Sequence, residues 1–176
     1  MKSNRQFVIP FKGLSIGKHD FIFEIDDKFF DGFEGSEIHK GKIEAIITLD
    51  KKPLMLEFDF HLQGIVLVTC DICLDELEIT IEYDSKLFVR FGDISEEQTD
   101  EIIVLSHAEH EIDVAQYIYE FCHLSLPYKR VHPNDKKGNS TCNKEMLKKL
   151  DQYIVRKQNE EIDPRWDELK NLLNHN

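Results

Sequence analysis

The sequence predicts an α+β protein in which mostly antiparallel strands form a curved sheet or partly closed barrel, with one covering helix and two C-terminal helices. Two observations favour this class. Apolar and polar residues alternate repeatedly between residues 7 and 83, which is the pattern of strands with one buried face. Three later segments have apolar residues at helical spacing instead. The 176 residues, of which 41% are hydrophobic, suffice for one domain with its own core and a tail.

The first strands are predicted from alternation with a period of two. Phe7–Phe11 and His19–Ile25 begin the series. A short helix or turn is expected between residues 27 and 38, where phenylalanines have helical spacing but glycines weaken the segment. Ile43–Leu49 and Leu54–Leu62 then alternate on either side of a turn, and this pattern predicts a hairpin.

A second predicted hairpin flanks two cysteines. A buried strand runs from Gly64 to Thr69, and Cys70 and Cys73 follow it. From Leu77 to Tyr83 apolar residues again alternate with polar ones, which predicts the returning strand. The two cysteines are therefore expected at the turn of this hairpin.

One helix is predicted to cover the sheet. It begins at Asp113, a residue type that favours helix starts, and a stripe of apolar residues repeats at helical spacing after it. The stripe consists of Val114, Ile118, Phe121 and Cys122. This helix is expected to close the core.

The polar loop at 128–141 separates the covering helix from the C-terminal region. Asn143 can cap a second helix, and Asp163 can start a third. We therefore predict an α+β domain at residues 1–142 and a helical extension at residues 143–176.

Charge is distributed unevenly along the chain. The net charge is −12, but residues 1–127 contain 11 basic and 26 acidic residues, whereas residues 128–176 contain 11 and 8. An acidic surface repels phosphates, so the segment predicted to face the phosphates of a nucleic acid is Lys129–Lys149, which has seven basic residues. The alternative is an ordinary solvated face. The candidates for binding nucleic acid, including RNA, are the basic residues of the predicted loop: Lys129, Arg130, Lys136 and Lys137.

An acidic stretch lies between Asp93 and Glu120. It contains nine carboxylates and neither lysine nor arginine. Such a stretch suits a basic protein partner. A hydrated loop would have the same composition.

Three cysteines and a histidine have the composition of a metal site. The two-residue spacing of Cys70 and Cys73 lets one metal ion bridge both sulfurs, and the later loop supplies His132 and Cys142. The four residues make a complete ligand set for structural zinc. The alternatives are that these small residues belong to the core or that the cysteine pair is redox-active. Cys122 belongs to the helix stripe and is predicted to be a core residue.

Several functional classes lack their sequence signatures. No stretch approaches the roughly 18 to 20 apolar residues of a membrane span. The apolar run near the N-terminus is too short for the core of a signal peptide. We therefore expect a cytoplasmic protein. A Gly-rich phosphate loop, a nucleophile elbow and an HExxH motif do not occur. We therefore expect neither an enzyme nor a protein with a small-molecule substrate.

Two segments are distinctive in their order along the chain. They are GIVLVTCDICLDELEITIEY at 64–83 and EIDVAQYIYEFCHLSLPYKRVHPNDKKGNSTC at 111–142, joined by the acid-rich connector. In this order they resemble the YceD family of large-subunit ribosomal RNA accumulation proteins. The tail from Asn143 lies outside the region of resemblance, which is weaker toward the N-terminus. The family's cysteine pair and its later histidine and cysteine correspond to Cys70, Cys73, His132 and Cys142.

The resemblance implies a bacterial cytosolic factor that supports the accumulation of large-subunit ribosomal RNA, with no established enzymatic activity. The expected partner is that RNA or its precursors. The first alternative is an adaptor whose acidic stretch binds a basic ribosomal protein without contacting RNA. A zinc-dependent hydrolase is disfavoured because four protein ligands leave no open position for water. The family often has a basic residue before the second cysteine, where this chain has Ile72.

Overall fold

The computed structural model describes residues 5–92 and 102–153, and it confirms an α+β protein. After a short 3-10 helix at Arg5–Phe7, the strands are β1 (Val8–Ile9), β2 (Gly17–Ile25), β3 (Lys40–Lys51), β4 (Met55–Thr69), β5 (Glu76–Phe91), β6 (Ile102–Leu105) and β7 (Ile112–Asp113). The helices are α1 (Asp27–Asp31), α2 (Ala115–Leu124) and α3 (Lys144–Tyr153). The second predicted C-terminal helix, from Asp163, lies outside the described residues, as do residues 93–101 of the acidic stretch.

The main sheet has five strands in the order β2-β3-β4-β5-β6. The first four are antiparallel neighbours, and β6 pairs with β5 in parallel. The outer strands β2 and β6 are not paired with each other in the described part of the chain, so the sheet is not closed into a barrel. β1 pairs with β7 in a separate two-stranded sheet.

Strand β4 is longer than predicted and belongs to both hairpins. The sequence suggested one strand ending at Leu62 and another starting at Gly64, but a single strand of 15 residues spans both. Gly64 does not interrupt the ladder, because it pairs with residues of both β3 and β5. A Cβ at this position would lie 2.3 Å from the Lys42 carbonyl oxygen, so the close approach of β3 requires glycine. Leu54, predicted to begin the second strand of the first hairpin, instead lies in the turn before β4 and is 85% exposed.

Helix α2 covers the sheet as predicted. The whole predicted stripe is buried, and Phe121 packs against the rings of Phe60 and Tyr83 at centroid distances of 5.0 and 5.9 Å. Asp113 precedes the helix, and its carboxylate accepts a hydrogen bond from the Ala115 N–H at 2.9 Å. The predicted start at Asp113 is therefore two residues early: Val114 occupies the capping position, and Asp113 binds the first helical N–H from one residue further out.

Helix α3 lies at the surface. None of its residues is buried, although Met146 and Leu147 pack partly against the core. Asn143 accepts the Glu145 N–H at 3.0 Å, which confirms the predicted cap. In the described part of the chain no helix has the length and apolar composition that crossing a membrane requires.

Candidate metal centre

Cys70, Cys73, His132 and Cys142 meet at the end of the β4–β5 hairpin. Their ligand atoms all lie within 4.8 Å of one another. The Cys70 and Cys142 sulfurs are 3.8 Å apart, and His132 Nδ1 lies 3.4 Å from the Cys73 sulfur. The three cysteines are buried, and the histidine is half-buried. The structure thus brings together all four residues that the sequence singled out.

A tight turn at residues 70–75 places the first two sulfurs. The Cys70 N–H donates to the Asp75 carbonyl at 2.9 Å, and the Leu74 N–H donates to the Cys70 carbonyl at 3.0 Å. Leu74 has a φ of 62°, in the left-handed region that glycine favours. This conformation turns the chain back into β5 directly after Cys73.

A small hairpin brings the other two ligands together. Asn134 and Ser140 form a β-bridge, and the Asp135 carboxylate accepts the N–H groups of Lys137 and Asn139, both at 2.8 Å. These bonds lower the pKa of Asp135, with the Asn139 N–H as the largest cause. Gly138 supplies a φ of 84° that the turn requires. Because the hairpin closes on itself, the residues at its two ends, His132 and Cys142, lie side by side.

A backbone carbonyl sets the orientation of the His132 ring. Nε2 lies 3.1 Å from the Glu76 carbonyl oxygen, which can only accept, so this nitrogen carries the hydrogen. Nδ1 then presents its lone pair to the three sulfurs. Metal-binding histidines usually donate a hydrogen bond of this kind from the ring nitrogen that does not bind the metal.

The environment favours the thiolate form of one cysteine. Burial opposes ionisation of Cys70, but backbone N–H groups of Cys73, Ile72 and His132 outweigh it and lower the pKa of Cys70 to about 6. Burial also acts on Cys122 in α2, where no hydrogen bond from the described residues counteracts it, and raises the pKa of this thiol to about 12. Cys122 is therefore an unreactive core thiol, as the sequence predicted.

The geometry fits one tetrahedral metal ion. With metal–sulfur bonds of about 2.3 Å, tetrahedral ligands hold two sulfurs about 3.8 Å apart and a sulfur and nitrogen about 3.5 Å apart. The Cys70–Cys142 separation is 3.8 Å, and His132 lies 3.4 and 3.8 Å from the sulfurs of Cys73 and Cys142. The four side chains can therefore ligate a metal ion without a change of fold.

Arg130 joins the two halves of the site in a way that the sequence did not indicate. Its N–H donates to the Asp71 carboxylate at 2.7 Å, and its guanidinium donates to Glu37 at 2.7 Å. The bond to Glu37 is the largest cause of the raised pKa of Arg130. Glu37 lies 93 residues away along the chain, so no local pattern could reveal this pair.

The other basic candidates face solvent. Lys129, Lys136 and Lys137 are exposed, and the last two lie in the turn of the small hairpin between His132 and Cys142. Arg130 differs from them because its side chain is only 21% exposed and already pairs with carboxylates. In the described part of the acidic stretch, Glu109 and Glu111 are exposed.

A family model described as large ribosomal RNA subunit accumulation protein YceD matches residues 58–173, about two thirds of the chain. The match contains all four candidate ligands and the basic segment. It also extends through α3, so the prediction that the tail from Asn143 lies outside the shared region was wrong. No curated protein and no solved structure shows significant similarity to this chain.

Proposed function

Because the chain belongs to the YceD family of large ribosomal RNA subunit accumulation proteins, we propose that it is a non-enzymatic assembly factor for large-subunit ribosomal RNA in the bacterial cytoplasm. In this proposal the metal centre is structural, and the basic segment after α2 contacts the RNA. The observation that carries the proposal is the position of Lys136 and Lys137 in a hairpin whose two ends supply metal ligands.

Zinc is the proposed ion. Three thiolates and one imidazole in a tetrahedral arrangement are typical of structural zinc sites. When bound, the ion supplies a fixed link between the β4–β5 hairpin and the segment after α2. The protein's own residues prepare this link, since Glu76 orients His132 and the turn at Leu74 aligns the cysteine pair.

The same coordination supports a role without catalysis. Four protein ligands complete a tetrahedral shell, whereas catalytic zinc keeps one position open for water or substrate. The zinc-dependent hydrolase is disfavoured for this reason.

The charge of the basic segment supports RNA as its partner. Lys129, Lys136 and Lys137 are exposed, and α3 adds Lys144, Lys148 and Lys149 at its surface. Cations held on an ordered backbone can match the spacing of phosphates with a smaller entropy cost than mobile ones. In the proposal, Arg130 is a positioning residue, because its guanidinium holds the segment against Asp71 and Glu37.

Co-sedimentation tests this function directly. The protein should sediment with large-subunit precursors in a sucrose gradient, and ribonuclease treatment should release it. If ribonuclease leaves it bound to a ribosomal protein, the adaptor function replaces RNA binding. Absence from every ribosomal fraction would contradict both functions.

A further inference from the structure

A groove of about 870 Å³ lies on the solvent-facing side of the sheet. Strands β2 to β5 form its floor at the level of Gln63. Gln63 lies in β4, and Cys70 follows the end of this strand. The seven residues from Gln63 to Cys70 span about 23 Å in an extended conformation. The groove is therefore a separate feature from the metal centre.

A row of carboxylates crosses the groove from strand to strand. In the sheet register Glu24 lies opposite Glu44, Glu44 opposite Gln63, and Gln63 opposite Glu82. All four side chains are exposed. Like charges placed directly opposite on neighbouring strands destabilise a sheet, so the pairing of Glu24 with Glu44 does not serve folding.

The row carries negative charge that is not balanced by salt bridges in the part of the chain that the structure describes. Glu24, Glu44 and Glu82 form no salt bridge there, and Glu44 only accepts a hydrogen bond from the Gln63 amide at 3.0 Å. Two lysines also line the groove, against five carboxylates. The potential that faces solvent is therefore negative.

Two of the five carboxylates have structural tasks and are not part of the row. Asp26 accepts the Lys28 N–H at 3.1 Å at the start of α1. Asp27 accepts the Gly41 N–H at 3.0 Å and ties α1 to β3. Among the described residues, the three glutamates of the row have no such backbone partner.

Exposed isoleucines flank the row on both sides. Ile65 is 42% exposed and lies in the groove, whereas Ile22 is 64% exposed on the opposite side of the row. Apolar surface beside carboxylates suits the long aliphatic stems and charged ends of lysine and arginine. It does not suit RNA, whose phosphates the row repels, or a small hydrated cation.

The length of the row indicates the conformation of the ligand. It spans three inter-strand steps, or about 14 Å. Alternate side chains of an extended chain lie about 7 Å apart on one face, so basic residues at three alternate positions cover the same length. We propose that the groove binds an extended, lysine- or arginine-rich segment of a protein partner. This inference is independent of RNA binding by the basic segment.

The test uses the full chain and a fluorescent peptide, Lys-Thr-Lys-Thr-Lys-Thr-Lys, in an anisotropy titration. The triple variant Glu24→Gln, Glu44→Gln, Glu82→Gln keeps the side-chain size and should weaken binding about 5- to 50-fold, as expected for three exposed ion pairs. The matched control, Glu34→Gln, Glu78→Gln, Glu145→Gln, removes the same charge at exposed positions outside the groove and the acidic stretch and should change the affinity less than about twofold.

A second variant separates groove contacts from general charge attraction. Ile22→Ala combined with Ile65→Ala should weaken peptide binding while leaving its salt dependence unchanged, because no charge is removed. The melting temperature of each variant checks folding, and the glutamine triple should melt no lower than wild type because repulsion is relieved. Equal weakening by the row triple and the control triple would overturn the proposal.

Discussion

Asp71 and Arg130 hold each other through reciprocal hydrogen bonds. The Asp71 N–H donates to the Arg130 carbonyl at 2.8 Å, and the Arg130 N–H donates to the Asp71 carboxylate at 2.7 Å. These bonds connect the cysteine turn to the segment that carries His132. The two halves of the candidate metal centre are therefore joined by protein contacts that need no metal ion.

Replacing Asp71 by alanine tests this connection. Asp71→Ala leaves the Arg130 N–H without its acceptor and should lower the free energy of unfolding by about 1–2 kcal/mol. Glu37→Gln removes only a salt bridge at a side chain that is 61% exposed and should cost less than about 1 kcal/mol. Urea titrations followed by circular dichroism measure both. Equal costs would show that the salt bridge, not the backbone acceptor, is the main link.

The metal prediction concerns stoichiometry and ligand identity. Purified protein should contain about one zinc per chain, with zinc–sulfur distances of about 2.3 Å by X-ray absorption. Cys73→Ala should lower the zinc content and expose the segment after α2 to protease. Cys122→Ala is the control, since this buried thiol lies outside the cluster and its removal should leave zinc unchanged. Full zinc content in Cys73→Ala would refute the proposed ligand set.

The left-handed backbone of Leu74 predicts that glycine is tolerated better than valine at this position. Leucine at a φ of 62° carries a cost that glycine avoids, and the side chain is 65% exposed. Leu74→Gly should therefore change stability by less than about 0.5 kcal/mol, whereas Leu74→Val should cost about 1–2 kcal/mol because β-branching worsens the strain. Leu54→Val is the control at another exposed turn leucine. Thermal unfolding should show no effect of Leu54→Val, and an equal loss of stability at both sites would contradict the prediction.

A histidine on the outer face of the sheet predicts a small pH dependence. A hydrogen bond to the Asp84 carboxylate is the main cause of the raised pKa of His61, whose ordinary value is 6.5. Because the folded-state pKa is raised, the stabilisation is complete below 6.5 and is lost as pH rises through the folded value. Solvent screens this exposed pair, so the loss of stability should be below about 1 kcal/mol.

The comparison with Asp84→Asn isolates that effect. Wild type should lose more stability than Asp84→Asn between about pH 5.5 and about pH 8.5, the range in which imidazole titrates. Melting temperatures at the two pH values measure the difference. Parallel changes in both proteins would assign the pH dependence to other groups.

Local sequence patterns were sufficient for the parts of the fold that depend on burial. The alternation of apolar and polar residues predicted β3 and β5, because one face of each strand is buried and the other faces solvent. The apolar residues at helical spacing predicted α2, because one side of this helix is buried against the sheet. The spacing of Cys70 and Cys73 identified the first half of the candidate metal centre, since a metal ion can bridge two sulfurs at this spacing.

The features that were missed depend on interactions between distant segments. The continuity of β4 through Gly64 follows from its two neighbours, and glycine alone suggested a break. The pairing of Arg130 with Glu37 joins residues that share no local pattern. The glutamate row of the groove appears only when the register of four strands is known, because its members are about 20 residues apart in sequence.

The last prediction tests RNA binding by the basic segment. The triple variant Lys129→Gln, Lys136→Gln, Lys137→Gln should weaken binding to a large-subunit RNA fragment. It should also reduce the slope of log affinity against log salt by roughly 0.7 to 0.9 for each phosphate that the protein no longer neutralises. Its stability should change by no more than about 0.5 kcal/mol per site, because the three side chains are exposed.

The control removes three exposed lysines from the acidic half of the chain. Lys18→Gln, Lys28→Gln, Lys40→Gln changes the net charge equally but should leave RNA affinity and its salt slope close to wild type. Neutralising Glu109 and Glu111 should leave RNA binding equal or tighter, because repulsion is relieved. Two results together would make the adaptor function the primary one. The lysine triple variant would bind RNA as tightly as wild type, and neutralising Glu109 and Glu111 would abolish binding to a basic protein partner.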